Sequence, residues 1–365
     1  MSELDDYRVE INKIDKEMAK LFEERMNVSK KVAEFKLKHA LPILDENREK
    51  QVIEINSKLV DDETIREYYI NFLKNNMDLS KQYQSRVLKG IKVAYSGVEG
   101  AFAHIASTKM FKDATYFSFG DFKKAYDSVE KGECDVCVLP LENSFAGEVG
   151  VVTDLLFSGS LFVNQVFELE VVHNLLVKKG TKKEDIKTVI SHPQALAQCG
   201  NYLSEKNFKT MEAQNTAIAA KLVATGDDSS IAAIASSDTA DLYDLEILDR
   251  NINSSHNNTT RFGAFSRCQN RTVLKSEMGE HFILMFTVKN EAGALAETLN
   301  IIGKYGFNMR CLRSRPMKEL LWNYYFYAEL EGNVNSDKGE QLLKELETYC
   351  DKLKVAGSFH YDIKK

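Results

Sequence analysis

Apolar residues recur at spacings of three and four along the first part of the chain: Ile11, Ile14, Met18, Leu21, Val28, Val32 and Phe35. That spacing gathers them on one face of an α-helix. Charge is dense around them, and no glycine interrupts the run before Gly90. Pro42 stops the first helix, and further helices are predicted from about Asp45 to Leu59 and from about Asp62 to Leu88. One long and two shorter helices make a thin bundle. A single chain of that shape leaves apolar surface bare, so the pattern predicts a homodimer or a higher homo-oligomer.

From Ile91 the period changes. Short β-rich runs (IKVAYSG, CDVCVLPLE, ELEVVHNLLV, TVISH, SIAAIAS) alternate with helical stretches as far as about Arg271, an α/β pattern. TVLKSEMGEH reads as a linker. Over residues 280–365 the runs HFILMFTVK, GALAETLNIIGKYG, NMRCLRSRP, LWNYYFYAELEG, KGEQLLKELETYC and KLKVAGSFH follow the order β-α-β-β-α-β, that of the ferredoxin-like split βαβ sandwich. The chain thus reads as multi-domain: all-α over 1–88, α/β over 91–271 and α+β over 280–365.

Composition narrows the class. A length of 365 residues suits two or three domains, and 44% hydrophobic residues suffice for ordinary cores. A net charge of -6 excludes a general nucleic-acid binder. The opening MSELDDYRVE has neither a basic nor an apolar signal region, and apolar runs such as Ile283–Val288 are strand-length, so no membrane span is expected. Six cysteines in a chain this long make no disulfide framework, and a cytoplasmic protein is expected. Cys134 and Cys137 spell a redox or half-metal pair, but CDVCVLP alternates like a buried strand and no second pair accompanies it. Neither a metal nor a cofactor is expected. The stretch NNTTRFGAF over 257–265 spells two overlapping glycosylation sequons; without a secretory signal, its amides, hydroxyls and arginine are left for chemistry.

Charges stand out of place in the helical region. Arg25 sits on the apolar stripe between Leu21 and Val28, with Lys36 roughly 20° off the same line at about 100° per residue. Arg8 lies to the side of that line. Asp45 and Glu49 are one turn apart, beside Arg48, and Ser80 and Gln84 share a face. These are surface salt bridges or a site for a polycarboxylate. The pieces YRVEINKID, LFEERMNVSKKVAEFK, LDENRE and Ser80-x-x-x-Gln84 resemble the AroQ-type chorismate mutase domain. The resemblance implies that Arg8, Arg25 and Arg48 grip the two carboxylates of chorismate, Arg8 from the partner in an intertwined dimer. It implies that Lys36 and Gln84 bond the ether oxygen, that Asp45 and Glu49 position the hydroxyl, and that Ser80 is a secondary contact.

Four motifs mark the middle region. Tyr95–Phe102 is a glycine-rich strand-to-helix turn of the kind that presents N–H groups to an anion, or an ordinary tight turn. Leu139-Pro140-Leu141-Glu142-Asn143-Ser144 follows one buried strand and Ser191-His192-Pro193-Gln194 another, with Gln194 and Gln198 on one helical face. His192 reads as a capping or packing residue. Asn258-Thr259-Thr260-Arg261 precedes the apolar strand Phe262–Phe265. In this order the four resemble the signatures of prephenate dehydratase. The resemblance implies two α/β lobes around a cleft, similar to periplasmic binding proteins, with lobe one over 91–166 plus 250–271 and lobe two over 167–249. It makes Thr260 the main catalytic residue, with Asn143, Ser191, Gln198 and Arg261 lining the site. Thr260 would donate a hydrogen bond to the leaving hydroxyl, and Arg261 would add positive potential or hold a carboxylate. Ala101 and Ala103 depart from the small hydroxyl residues usual in the family's first loop.

The C-terminal pattern resembles an ACT domain, a small-molecule regulatory module. Gly293-Ala294-Leu295 opens its first helix, and Ser314-Arg315-Pro316 closes the next strand after Arg313, where the dehydratase-linked members carry glutamate. Phenylalanine is the effector the resemblance implies. The chain is therefore expected to convert chorismate to prephenate and prephenate to phenylpyruvate. The other readings are a dehydratase preferring arogenate and a small-molecule sensor without turnover.

Overall fold

The computed structural model describes residues 3–39, 41–255, 257–270, 279–317 and 323–360, which fall into two compact units. The first holds the helices α1 (Glu3–Lys38), α2 (Glu46–Ser57) and α3 (Glu63–Lys89). Acidic residues open α1 and Lys36 and Lys38 close it, complementing the helix dipole. Asp45 caps α2 by accepting from the Arg48 N–H, and Asp62 caps α3 by accepting from that of Thr64. Along α1 only Ser29 and Ala33 are buried, while all seven residues of its apolar stripe, Leu21 at 64% among them, stay exposed.

The second unit takes in residues 93–112 and everything from Tyr116 onward. Its first lobe contains β1 (Ile91–Ser96), α4 (Phe102–Met110), β2 (Ala114–Phe119), α5 (Phe122–Glu130), β3 (Val136–Asn143), β4 (Gly147–Glu148), α6 (Gly150–Ser158) and β5 (Phe162–Glu170). The second lobe contains β6 (Asn174–Val177), a 3₁₀ turn over Lys183–Asp185, β7 (Thr188–Ser191), α7 (Pro193–Gln198), α8 (Gly200–Lys206), β8 (Lys209–Glu212), α9 (Thr216–Thr225), β9 (Ile231–Ala235), α10 (Ser237–Leu242) and β10 (Glu246–Asp249). The chain then returns as β11 (Thr259–Ser266), which inserts antiparallel between β3 and β5. The lobe borders differ from those read off the sequence. β5 carries the first sheet through Glu170, past residue 166, and Ile252 packs with the second lobe because its apolar side chain fills that core. The second sheet has the order β10-β6-β9-β7-β8.

The C-terminal elements are β12 (Glu280–Val288), α11 (Ala294–Lys304), β13 (Asn308–Pro316), β14 (Tyr324–Glu331), α12 (Asp337–Leu346) and β15 (Cys350–His360). Their strand order, β13-β14-β12-β15, continues through β5-β11-β3-β1-β2 into one ten-stranded sheet, with β4 paired to β3. Phe282, Leu284 and Phe286 of β12 pack under α11 and α12, while Ile283 and Met285 join the core of the first lobe. Burial on both faces explains the unbroken apolar run FILMF. Residues 272–278 of the expected linker lie outside the described residues, as do Arg271 and residues 361–365. Cys134 and Cys137 are both buried, as small hydrophobes beside a strand core.

Candidate active sites

In the helical unit, a cavity of about 430 Å³ is lined by Arg25, Lys36, Asp45, Arg48, Glu49, Ser80 and Gln84, with Lys81 and apolar residues. All the expected mutase residues except Arg8 meet there. Arg8 lies on exposed surface, 3.6 Å from Asp5. Arg25 donates to Asn76 Oδ1 at 2.9 Å and to Ser80 Oγ, and Ser80 donates to the Asn76 carbonyl at 2.8 Å. Lys36 Nζ donates to the Ile43 carbonyl at 2.6 Å, which spends one of its three protons. Lys81, missed in the sequence, bonds Glu49 at 2.7 Å and Asp78 at 2.8 Å; its i,i+3 spacing from Asp78 was the available signal. Gln84 is buried with Oε1 unpartnered among the described residues. Arg25, Lys36, Arg48 and Lys81 face two carboxylates, Asp45 and Glu49. With Asp78 counted as the second partner of Lys81, the cluster keeps a cationic excess that favours an anionic ligand.

The second cavity, about 370 Å³, is lined from both lobes of the larger unit by Asn143, Gln198 and Thr260 together with Ala101–Ala103, His173, His192, Gln194, Asn215 and Thr216. Thr260 pairs with Asn143 across β11 and β3. The Asn143 amide donates to Thr260 Oγ1 at 2.9 Å and to Asn258 Oδ1 at 2.8 Å, while its own Oδ1 accepts the N–H groups of Phe145 and Ala146 at 3.0 and 2.9 Å. Asn258 Nδ2 donates to Gln198 Oε1 at 3.0 Å, and His173 Nε2 meets the same oxygen at 2.8 Å. Asn258 and His173 were absent from the expected site. Asn258 was visible as the leading residue of its motif, and His173 as the one ionisable group inside the apolar run VVHNLLV. His192 caps α7, as its place before proline suggested, and also lines the cavity.

Two expected site residues lie elsewhere. Arg261 alternates to the face of β11 opposite Thr260 and Phe262, which both line the cavity. There it donates to Glu142 at 2.8 Å and, with both terminal nitrogens, to Glu329 of β14 at 2.9 and 3.0 Å. Ser191 is fully buried and donates to the Ile234 carbonyl at 2.7 Å, because the parallel neighbour strand β9 offers that acceptor directly. No lysine or arginine lines this cavity among the described residues. The one Asp, Glu, Lys or Arg on its wall among the described residues is Glu148, and partial positive charge is offered by helix ends: α4 begins at Ala101 without a side-chain cap, and α9 begins at Asn215. The glycine turn before α4 is not the anion cradle itself. Gly97 and Gly100 take φ of 95° and 86°, and the N–H groups of Gly97, Gly100 and Ala101 bond Phe119 O, His104 Nδ1 and Val98 O.

In the C-terminal part, Gly293 starts α11 at φ 89°, followed by Ala294 and Leu295, and Ser314, Arg315 and Pro316 end β13. Arg315 bonds Asp154 at 2.9 Å and Tyr325 at 3.1 Å, and stands 3.4 Å from Glu148. Arg313 pairs with Glu142, beside Asn143, and lies over the Tyr327 ring. The arginine that departs from the family pattern thus completes an ion cluster with Glu142, Arg261 and Glu329.

Residues 7–85 match the chorismate mutase type II family and residues 93–270 the prephenate dehydratase family. The bifunctional chorismate mutase/prephenate dehydratase of Aquifex aeolicus is 32% identical over 371 residues, 98% of each chain. Among solved structures, GqqA, described as a novel type of quorum quenching acylase, has a TM-score of 0.68 at 28% identity over 74% of this chain and 98% of that one. The prephenate dehydratase of Arthrobacter aurescens in complex with L-Phe has a TM-score of 0.68 at 24% identity over 75% of this chain and 91% of that one, a likeness of fold. No described helix is long and apolar enough to cross a membrane. The chain belongs to the bifunctional chorismate mutase/prephenate dehydratase family of phenylalanine biosynthesis.

Proposed function

We propose that the helical cavity binds and rearranges chorismate and that the cavity at Thr260 dehydrates prephenate. The Claisen step needs no proton transfer, only a compact substrate conformer and stabilisation of charge on the breaking C–O bond. Arg25 and Arg48 hold carboxylates, while Lys36, with protons left after its bond to Ile43, and the Gln84 amide donate to the ether oxygen. Asp45, Glu49 and Ser80 fix the rest of the ring and the guanidinium of Arg25. Arg8 serves the partner's cavity in a homodimer.

In dehydration, the C–COO⁻ bond breaks to release CO₂, and its electron pair enters the ring. The C–OH bond breaks, one proton is taken up and water leaves. The observation that carries the assignment is the Thr260 hydroxyl held on the cavity wall by Asn143 at 2.9 Å. Because Oγ1 accepts from Asn143, its own proton is free for the leaving oxygen. The C-terminal part is an ACT-like module that senses phenylalanine through Gly293–Leu295 and Ser314–Pro316, and Arg315 carries the response to Asp154 and Glu148. Arogenate in place of prephenate is the alternative substrate that a paired assay separates.

The test supplies chorismate to variants and follows prephenate and phenylpyruvate. Lys36→Ala is expected to lose mutase rate by roughly 10³-fold and keep dehydration of added prephenate. Thr260→Ala is expected to do the reverse, accumulating prephenate. Near wild-type dehydration by Thr260→Ala would make that residue structural. Phenylalanine added to the wild type is expected to slow dehydration.

A further inference from the structure

The hydrogen bonds around Thr260 have a fixed direction. Backbone N–H groups only donate, so those of Phe145 and Ala146 fix Asn143 Oδ1 as an acceptor and the Asn143 amide nitrogen as a donor. Asn258 Oδ1 then accepts, Asn258 Nδ2 donates, and Gln198 Oε1 accepts. His173 Nε2, facing that oxygen at 2.8 Å, carries a proton. The ring is 1% exposed, and burial pushes its pKa down, which keeps it neutral. Nδ1 is therefore a bare lone pair. It has no partner among the described residues, on a side chain that lines the cavity. The same network leaves Thr260 with a proton to give. A donor and an acceptor in one cavity suit a hydroxyl, which is both.

The prephenate dianion carries a single hydrogen-bond donor, its ring hydroxyl; its carboxylates and ketone only accept. Resting on the assignment of this cavity to dehydration, we infer that His173 Nδ1 accepts a hydrogen bond from the ring hydroxyl of the substrate and so turns that oxygen's lone pair toward Thr260. His173 is then a substrate-binding residue of the dehydration step, outside the four motifs.

His173→Phe in the full chain fills the ring's shape and removes the acceptor, while Gln198 Oε1 keeps the donor of Asn258. It is expected to lower dehydratase kcat/KM for prephenate roughly 10- to 100-fold. Inhibition by phenylpyruvate, which has lost the hydroxyl, should stay within about twofold. His173→Gln, whose amide nitrogen still serves Gln198 and whose amide oxygen is an acceptor displaced from the Nδ1 position, should lose no more than His173→Phe, and thermal unfolding of both variants reports whether the fold survives. Unchanged kcat/KM, or equal losses for substrate and product, would overturn the inference. Thr260→Ala run in parallel separates the failures. If it is inactive while His173→Phe is unaffected, only the role of His173 falls; if Thr260→Ala turns over normally, the assignment of the cavity falls and takes this inference with it.

Discussion

Thr260 and Arg261 are neighbours in the chain and strangers in space. A strand alternates its faces at every residue, so one points into the cavity and the other into the ion cluster behind it. The motif drew them together because spelling carries adjacency but not side. The same limit applied to Ser191, whose hydroxyl the neighbouring strand takes. Asn143 and Gln198 were legible because the first ends a buried strand and the second sits on the polar, cavity-lining face of a short helix. Arg261 now has a structural task, and removing it leaves the 1%-exposed Glu329 without its bidentate partner. Arg261→Met is expected to cost about 3–5 kcal/mol in denaturant unfolding, and adding Glu329→Leu should recover most of the loss. A single variant as stable as the wild type would show that Glu329 finds another partner.

At the scale of elements, caps and periodicities located most of what is present: Asp45 and Asp62 start the helices they were expected to start. The sequence could not reveal that β13 and β14 press charged side chains against β3 and β11, since ion pairs between distant strands leave no local pattern. Burial pushes Glu329 up, but His281 and Arg261 outweigh it and hold the carboxyl down to about 2, against an ordinary 4.5. A depressed carboxyl adds stability that is complete above the unfolded value and vanishes as pH falls through the folded one. The larger unit should therefore lose urea resistance as pH drops from 4.5 toward 2. Glu329→Gln should flatten that slope; an identical slope in the variant would assign the acid sensitivity elsewhere.

At the scale of the molecule, the apolar stripe of α1 was legible as a helix face, and its exposure in one chain agrees with the proposed dimer. If Arg8 serves the partner's cavity, two dead variants can repair each other. Mixed after unfolding and refolding, Arg8→Ala and Lys36→Ala chains should regain about a quarter of wild-type mutase activity, since half the dimers hold one intact site of two. Activity no higher than either parent would confine Arg8 to its own chain. The long sheet raises a different matter. β15 meets β5 through a single residue pair, Gly357 with Val163, so close that a Cβ on Gly357 would stand 2.3 Å from the Val163 carbonyl oxygen. A plate stitched at one point can pivot there at almost no cost in backbone bonding. What sets the angle between its halves is side chains: the core that Ile283 and Met285 share with the first lobe, and the pairs Arg261–Glu329 and Arg313–Glu142 next to Asn143.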